Sequence, residues 1–356
     1  MQETKIIQFA SDNYVGAHPD IAKIINEAML TTELPYGQDS YSQKAQLEIQ
    51  QVFQSDCAVF FIGTGTACNV MALKTMLRSI DAVICSDLAH INGAECGALE
   101  NFTGSKIFTA KSIDGKINVK AIKEVYNSLN NIHYSKPAAI SITQATELGT
   151  VYTCEEIKEI CNFAHSHNLY VHMDGARLAN AAAALNNSLK EMVTDTGVDI
   201  LSFGATKNGA LIAEAAVIFN KKLAKDFNYI QKQSMQLFSK MRIIPAQFIA
   251  YLQNDLWLNN AKNANTKCKM IAEGLSHCKN LKILNSVETN QIFIELPITL
   301  KDEILKTYYL YVSNENIDKK TCVIRLITSY NTSLNDANKL ISDFKSLDYN
   351  FSLLNN

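Results

Sequence analysis

"LYVHMDGARLANAAAAL", residues 169–185, opens as a short β-rich run and continues as an alanine-rich helix. Strand character predicts that His172 and Asp174 share one face and Val171 and Met173 the other. The run ends on a carboxylate, and the carboxyl end of a strand is where open α/β sheets bind their ligands. A purely local role is also open to Asp174, because a carboxylate before a helix caps its free N–H groups. Arg177 follows three residues later, near the helix start.

The same alternation recurs on both sides. "AVFFI" (58–62) runs into "GTGTACNVMALKTMLR" (63–78), and "AVICS" (82–86) precedes "AHINGAECGALE" (89–100). "AAISIT" (138–143) is followed by the helical "CEEIKEICNFAHSHN" (154–168), and "VDILSFG" (198–204) and "EAAVIF" (214–219) come later. Short strands alternating with helices predict βαβ units and a mostly parallel sheet. The last two runs are joined by too little chain for a crossover helix, so that pair is expected to be antiparallel.

Beyond residue 247 the pattern changes to a long helical segment over 248–278. It leads into the strand-like "KILN" (282–285), "QIFIEL" (291–296), "YYLYVS" (308–313) and "TCVIRLIT" (321–328), then a closing helix over 333–347. The expected organisation is an α/β domain over 1–247, including an N-terminal arm, and a smaller α+β domain over 248–356.

Composition removes several classes of function. The 356 residues carry 33 basic and 35 acidic side chains, and 47% are hydrophobic. No broad basic surface for nucleic acid or an anionic membrane is expected. The start, "MQETKIIQFASDN", lacks the basic and apolar regions of a secretory leader, and no apolar run reaches membrane-spanning length. Nine cysteines without a C-x-x-C spacing read as reduced, mostly buried residues. The expectation is a cytoplasmic protein with no metal site; His165 and His167, at i and i+2 of a helix, diverge rather than form a ligand pair.

Four local features carry chemistry. Gly63 and Gly65 in "FIGTGTACN" lie between a strand and a helix, where free N–H groups and the helix dipole stabilise an anion such as phosphate. A glycine turn without a ligand has the same local form, and neither a P-loop nor a full dinucleotide fingerprint is present. His90 and Glu95 follow a strand, where an imidazole can stack on a flat ligand, act as acid or base, or satisfy a backbone partner. Lys207, in "LSFGATKNGAL" (201–211), stands among small and apolar residues. It either extends into water from a strand end or is desolvated and poised to form an imine. An anion site, a strand-end Asp174, Arg177, a ring-stacking candidate and Lys207 together are the parts of a pyridoxal phosphate site.

With those motifs in order, the chain resembles the low-specificity L-threonine aldolases of the β-eliminating lyase group. These are pyridoxal 5'-phosphate enzymes of the aspartate-aminotransferase fold (fold type I). The resemblance runs from "FASDNYVGAHPDI" through "YGQD", "GTGTACN", "HINGAECGA", "HYSKP", "ITQATELGTVY", "VHMDGARLANA", "LSFGATKNG" and "SKMR" to "RLITSYNT". It implies a Schiff base on Lys207, Asp174 at the pyridine nitrogen, Gly65 and Thr66 at the phosphate, and His90 stacked on the ring. It implies His133 near the substrate hydroxyl, and Ser11, Arg177 and Arg325 on the substrate carboxylate. Arg242 is implied near the phosphate from a neighbouring subunit, so sites shared in a homodimer, itself part of a tetramer, are expected.

The reaction implied is cleavage of L-threonine or L-allo-threonine to glycine and acetaldehyde, in threonine breakdown and glycine formation. β-Elimination or transamination on the same cofactor is the alternative. Where many members have Glu-Asn-Thr-x-x-Gly, this chain has Gln144-Ala145-Thr146-Glu147-Leu148-Gly149.

Overall fold

The computed structural model describes residues 7–354; the first six residues, part of the stretch read for a leader, and the last two lie outside the described residues. In chain order the strands are β1 (Ile7–Gln8), β2 (Ala58–Ile62), β3 (Asp81–Ser86), β4 (Lys106–Ala110), β5 (Lys136–Thr143), β6 (Tyr170–Gly175) and β7 (Ile200–Gly204). They continue with β8 (Glu214–Ile218), β9 (Lys282–Ile283), β10 (Gln291–Pro297), β11 (Tyr308–Tyr309), β12 (Tyr311–Asn316) and β13 (Thr321–Ile327).

The main sheet has seven strands in the order β2-β8-β7-β6-β5-β3-β4. Strand β8 runs antiparallel to both its neighbours, and the pairs from β7 to β4 are parallel. The expected antiparallel pair around Lys207 is β7–β8, because the link over 205–213 holds only the 3-10 turn Thr206–Asn208. Strands β3, β7 and β8 are buried along their whole length, as a sheet covered on both faces requires.

One face packs on the helix Gly65–Met76, whose Cys68, Met71 and Leu73 meet Ile62, Ile200 and Ile218. On the other face Phe203 of β7 packs against Phe53, Phe248 and Tyr251. Caps fix the helix starts: the Thr64 side chain accepts the Ala67 N–H, and Thr153 with Glu156 forms a reciprocal capping box on Cys154–Ser166.

The C-terminal sheet is antiparallel, in the order β12-β13-β10-β9, over a core that includes Ile271, Ile294, Ile324, Leu340 and Phe344. Two details differ from the periodicity. The helical stretch expected over 248–278 is two helices, Ile243–Leu252 and Leu256–Leu275, separated at Asn254 and Asp255, both left-handed (φ 52° and 55°). Asn and Asp tolerate that conformation best, so the polar run Gln253-Asn254-Asp255 forms the break. The N-terminal arm, expected with the large domain, joins the C-terminal core: β1 pairs with β11, Phe9 is buried there, and the Ile327 N–H donates to Phe9 O at 2.7 Å. A two-residue strand is too short for its partner to be read from periodicity.

Phe53 is fully buried and edge-on to Phe203 and Phe219, with centroids 5.4 and 5.5 Å away. Phe53→Ala is expected to lower stability by about 3–5 kcal/mol, read as a lower urea midpoint.

Candidate active site

The pocket forms at the carboxyl ends of β5, β6 and β7, capped by the start of the helix Gly65–Met76. Its lining includes Gly65, Thr66, Asn69, His90, Asp174 and Lys207. Each element delivers its residue for a local reason. Asp174 ends β6 on the face it shares with His172, which places it beside Thr143 of β5 and Ser202 of β7. Lys207 stands on the 3-10 turn directly after β7, where Gly209 (φ 104°) lets the chain reverse into β8. Gly65 and Thr66 open their helix, with N–H groups turned to the pocket end and space beside Gly65 where a Cβ would meet nothing within 4 Å.

Hydrogen bonds tie these groups into one network. Asn69, one helical turn after Gly65, donates from Nδ2 to Asp174 Oδ2 at 3.0 Å and to Glu95 Oε1 at 2.9 Å. Glu95 in turn meets His90 Nδ1 at 2.8 Å. That bond, opposed by desolvation, raises the His90 pKa above its ordinary value. The Asp174 Oδ1 atom also accepts the Ala176 N–H at 3.0 Å, so the carboxylate does cap the local turn while its second oxygen serves the pocket.

Glu147 accepts the His90 backbone N–H and the Thr143 hydroxyl on Oε1, both at 2.9 Å, and its buried Oε2 has no partner. Burial raises its pKa. Beneath Asp174, His172 is fully buried between Ser141 and Ser202 at 2.9 Å each, and desolvation lowers its pKa to about 4. It is therefore a neutral strut. His165 and His167 are also held by protein partners, Asp199 and the Phe163 carbonyl.

The arginines divide their work in a way the sequence does not show. The Arg177 fork is engaged by Asp12, Nε to Oδ2 at 2.8 Å and Nη2 to Oδ1 at 2.9 Å. Burial opposes ionisation of Asp12, yet the Arg177 charge and hydrogen bonds hold its pKa below the usual value. Arg325 reaches the same segment, donating from Nη2 to Ala10 O at 3.3 Å and lying 4.8 Å over the Tyr311 ring, while its buried Nε has no partner. Burial and the nearby Arg177 lower the Arg325 pKa. Ser11 is buried beside Asp12, its hydroxyl accepting the Asn13 N–H at 3.2 Å. Arg177 lines the pocket while Asp12 holds its Nε and Nη2, and Arg325 brings an unpartnered Nε to the same corner.

Two expected residues are not brought to this pocket within the chain. His133 is exposed in the loop before β5, at the opposite end of a strand whose carboxyl end carries the site. Arg242 is buried against another helix end, donating to Ala28 O and Thr31 O at 2.9 Å each. Asn69, Glu147, Glu214, Asp12 and the pairing role of Glu95 escaped sequence reading. Only Asn69 carried a local signal, its four-residue spacing from Gly65.

The residues present fit pyridoxal phosphate: a helix start open beside Gly65, a buried carboxylate facing a lysine, and an unsatisfied guanidinium donor together match its phosphate, ring and amino-acid partners. A family profile described as beta-eliminating lyase matches residues 8–299. The chain belongs to the beta-eliminating lyase family. Among its relatives, a low specificity L-threonine aldolase of Pseudomonas aeruginosa is 42% identical, covering 81% of this chain and 84% of that protein. One from a Pseudomonas sp. is 41% identical over the same shares. A solved threonine aldolase structure from Leishmania major superposes with a TM-score of 0.92 at 31% identity, covering 96% of this chain and 99% of the other. More distant solved structures, including an aspartate aminotransferase of Thermus thermophilus (TM-score 0.68, 12% identity), share the fold. This beta-eliminating lyase therefore has the expected fold-type I architecture.

Glu95→Gln removes the charge that favours the His90 imidazolium, so His90 is expected to titrate at lower pH, read from its ring-proton NMR shifts. The same pair adds stability below the unfolded histidine pKa of about 6.5, and that contribution is lost as pH rises through the higher folded value. Glu95→Gln should therefore flatten the fall in stability across that window.

Proposed function

We propose that this beta-eliminating lyase is an L-threonine aldolase, a carbon–carbon lyase that cleaves L-threonine and related β-hydroxy-α-amino acids to glycine and an aldehyde. The observation that carries this reading is Lys207 and Asp174 facing one pocket whose rim is the open helix start at Gly65 and Thr66. Pyridoxal phosphate, bound there through Lys207, supplies an electron sink for the bond to be broken. Gly65 and Thr66 hold its phosphate, and Asp174, fixed by Asn69, holds the proton on its ring nitrogen.

The chain's own residues orient and deprotonate the substrate. Arg325, with its open Nε, and Arg177, which lines the pocket and is fixed by Asp12, bind the substrate carboxylate beside Ser11. Orientation of the scissile bond follows from that grip. With Nδ1–H donating a hydrogen bond to Glu95, His90 Nε2 is left to accept the β-hydroxyl proton directly or through a water. Glu95 serves as the orienting partner.

The relatives named for low specificity support a pocket tolerant at the β-carbon. A homodimer with shared sites, extended to a tetramer, is part of this reading. Exposed Met29, Leu30, Leu34 and Tyr36 support it, since they follow the same helix end that holds Arg242. In such a pair Arg242 and His133 act on the partner's pocket. A role in threonine breakdown and glycine formation follows from this reaction, and its cytoplasmic placement is supported by the nine unpaired cysteines.

Purified enzyme given L-threonine should release acetaldehyde and glycine; ammonia and an oxo acid would instead identify elimination or transamination. Lys207→Ala should abolish both turnover and the visible absorbance of the cofactor-linked protein. Retained colour would remove Lys207 from its assigned place. Arg325→Ala should lower kcat/KM by roughly 10- to 100-fold, mostly through KM, as expected for loss of a charged hydrogen bond to the substrate.

A further inference from the structure

The pocket contains four carboxyl groups, and three are tied to groups already placed in the site. Glu95 holds His90, Asp174 is held by Asn69, and Glu147 receives the His90 N–H and the Thr143 hydroxyl. The fourth, Glu214, opens β8 directly opposite Gly204 and Ile62, on the pocket face of the sheet. It is 8% exposed, takes hydrogen bonding from Thr206 of the preceding turn, and has no ion pair within 4.0 Å among the described residues. Its carboxylate lies over Gly204: a Cβ at residue 204 would stand 2.9 Å from Glu214 Oε2, so glycine there leaves the acid its place. The rest of the strand, "AAVI" (215–218), is apolar. Strand packing alone gives no reason for a carboxyl at its head, since burying one costs free energy.

The geometry points to Glu214 as the proton acceptor for Lys207, which stands in the turn joining β7 to β8 and lines the same pocket. The step breaks one Nζ–H bond on Lys207 and forms one Oε–H bond on Glu214, leaving a neutral amine and a neutral carboxylic acid. No other reactant is needed. A lysine amine attacks a carbonyl only after that proton has left. Lys207 enters no ion pair within 4.0 Å among the described residues, so the transfer accompanies a turn of its flexible four-carbon side chain.

The charged and titratable groups acting on Glu214 include Lys207 after β7, Asp174 on β6, Cys68 on the helix Gly65–Met76 and Tyr251 on the helix Ile243–Leu252, and His90, Glu95, Glu147 and Arg177 line the same pocket. Burial pushes the Cys68 thiol and the Tyr251 phenol upward, which keeps both neutral. Burial also raises Glu214 to about 7, with Thr206 hydrogen bonding and the Lys207 charge opposing it and Asp174 reinforcing it. An acid in that range can take and return a proton near neutral pH.

This inference rests on Lys207 being the cofactor attachment point, and its test separates the two. Infrared spectra of the purified holoenzyme, titrated from about pH 5 to 9, should show a buried carboxylic C=O band that titrates near neutrality. Glu214→Gln should abolish that band. Protein stripped of cofactor and mixed with pyridoxal phosphate should regain its visible absorbance on the order of 10²-fold more slowly at pH 7 in Glu214→Gln than in wild type. Glu214→Asp, which keeps the acid, should retain a titrating band and recover part of the rate. Circular dichroism of each variant verifies folding.

A carboxyl band unchanged between wild type and Glu214→Gln, with Glu147→Gln used to assign the Glu147 band, a wild-type pH–rate profile in Glu214→Gln, or a Glu214→Asp protein as slow as Glu214→Gln would overturn the assignment. Failure of the aldolase reading has a different signature: reloading would show the Glu214 dependence while threonine yields no acetaldehyde.

Discussion

A single amide group organises the site. Asn69 uses Nδ2 to bind Asp174 from one strand end and Glu95 from the segment after another, joining two carboxylates that would otherwise repel at close range. Because Glu95 also holds His90, the residue proposed to face the cofactor ring nitrogen and the residue proposed to move the substrate proton share one hydrogen-bonded frame. Asn69 can do this only because it lies one turn into the helix that starts at Gly65. The same helix thus sets the anion site and the acid–base site together.

A second frame joins the two halves of the chain. Asp12, on the N-terminal segment, takes the Arg177 fork from the main sheet and the Asn290 amide from the head of the C-terminal sheet. Phe9 is buried in the C-terminal core three residues earlier. The carboxylate-binding corner is therefore built where arm, large sheet and small sheet meet. A buried ion pair of this kind is a weak source of net stability, but losing one partner would leave an unpaired buried charge, so it strongly favours one relative placement.

Much of the fold was legible because burial leaves a periodic mark. Strands such as "AVICS" and "VDILSFG" are apolar throughout since both faces are covered, and the short link around Lys207 permits only an antiparallel return. Lys207, Asp174, Gly65, Thr66 and His90 were readable because each sits at a strand end or helix start, places where local sequence and ligand geometry coincide. Glu147 and Glu214 were not, since a carboxylate in a loop or at a strand head looks solvated until the chain closes over it. The Asp12 partner of Arg177 was not legible for a related reason: it is distant in sequence, and no local pattern announces a bidentate pair.

The sequence alone determined the alternation of strands and helices, the antiparallel turn carrying Lys207, the phosphate-competent helix start and the chemical types available for catalysis. These follow from periodicity, chain length between elements and backbone N–H direction, all of them local properties. Tertiary structure alone decided which polar group meets which neighbour: Asn69 between Asp174 and Glu95, Asp12 on Arg177, an open donor on Arg325, and Glu214 over Gly204. Burial and through-space distance set those relations, and neither is encoded in the spacing of residues along the chain.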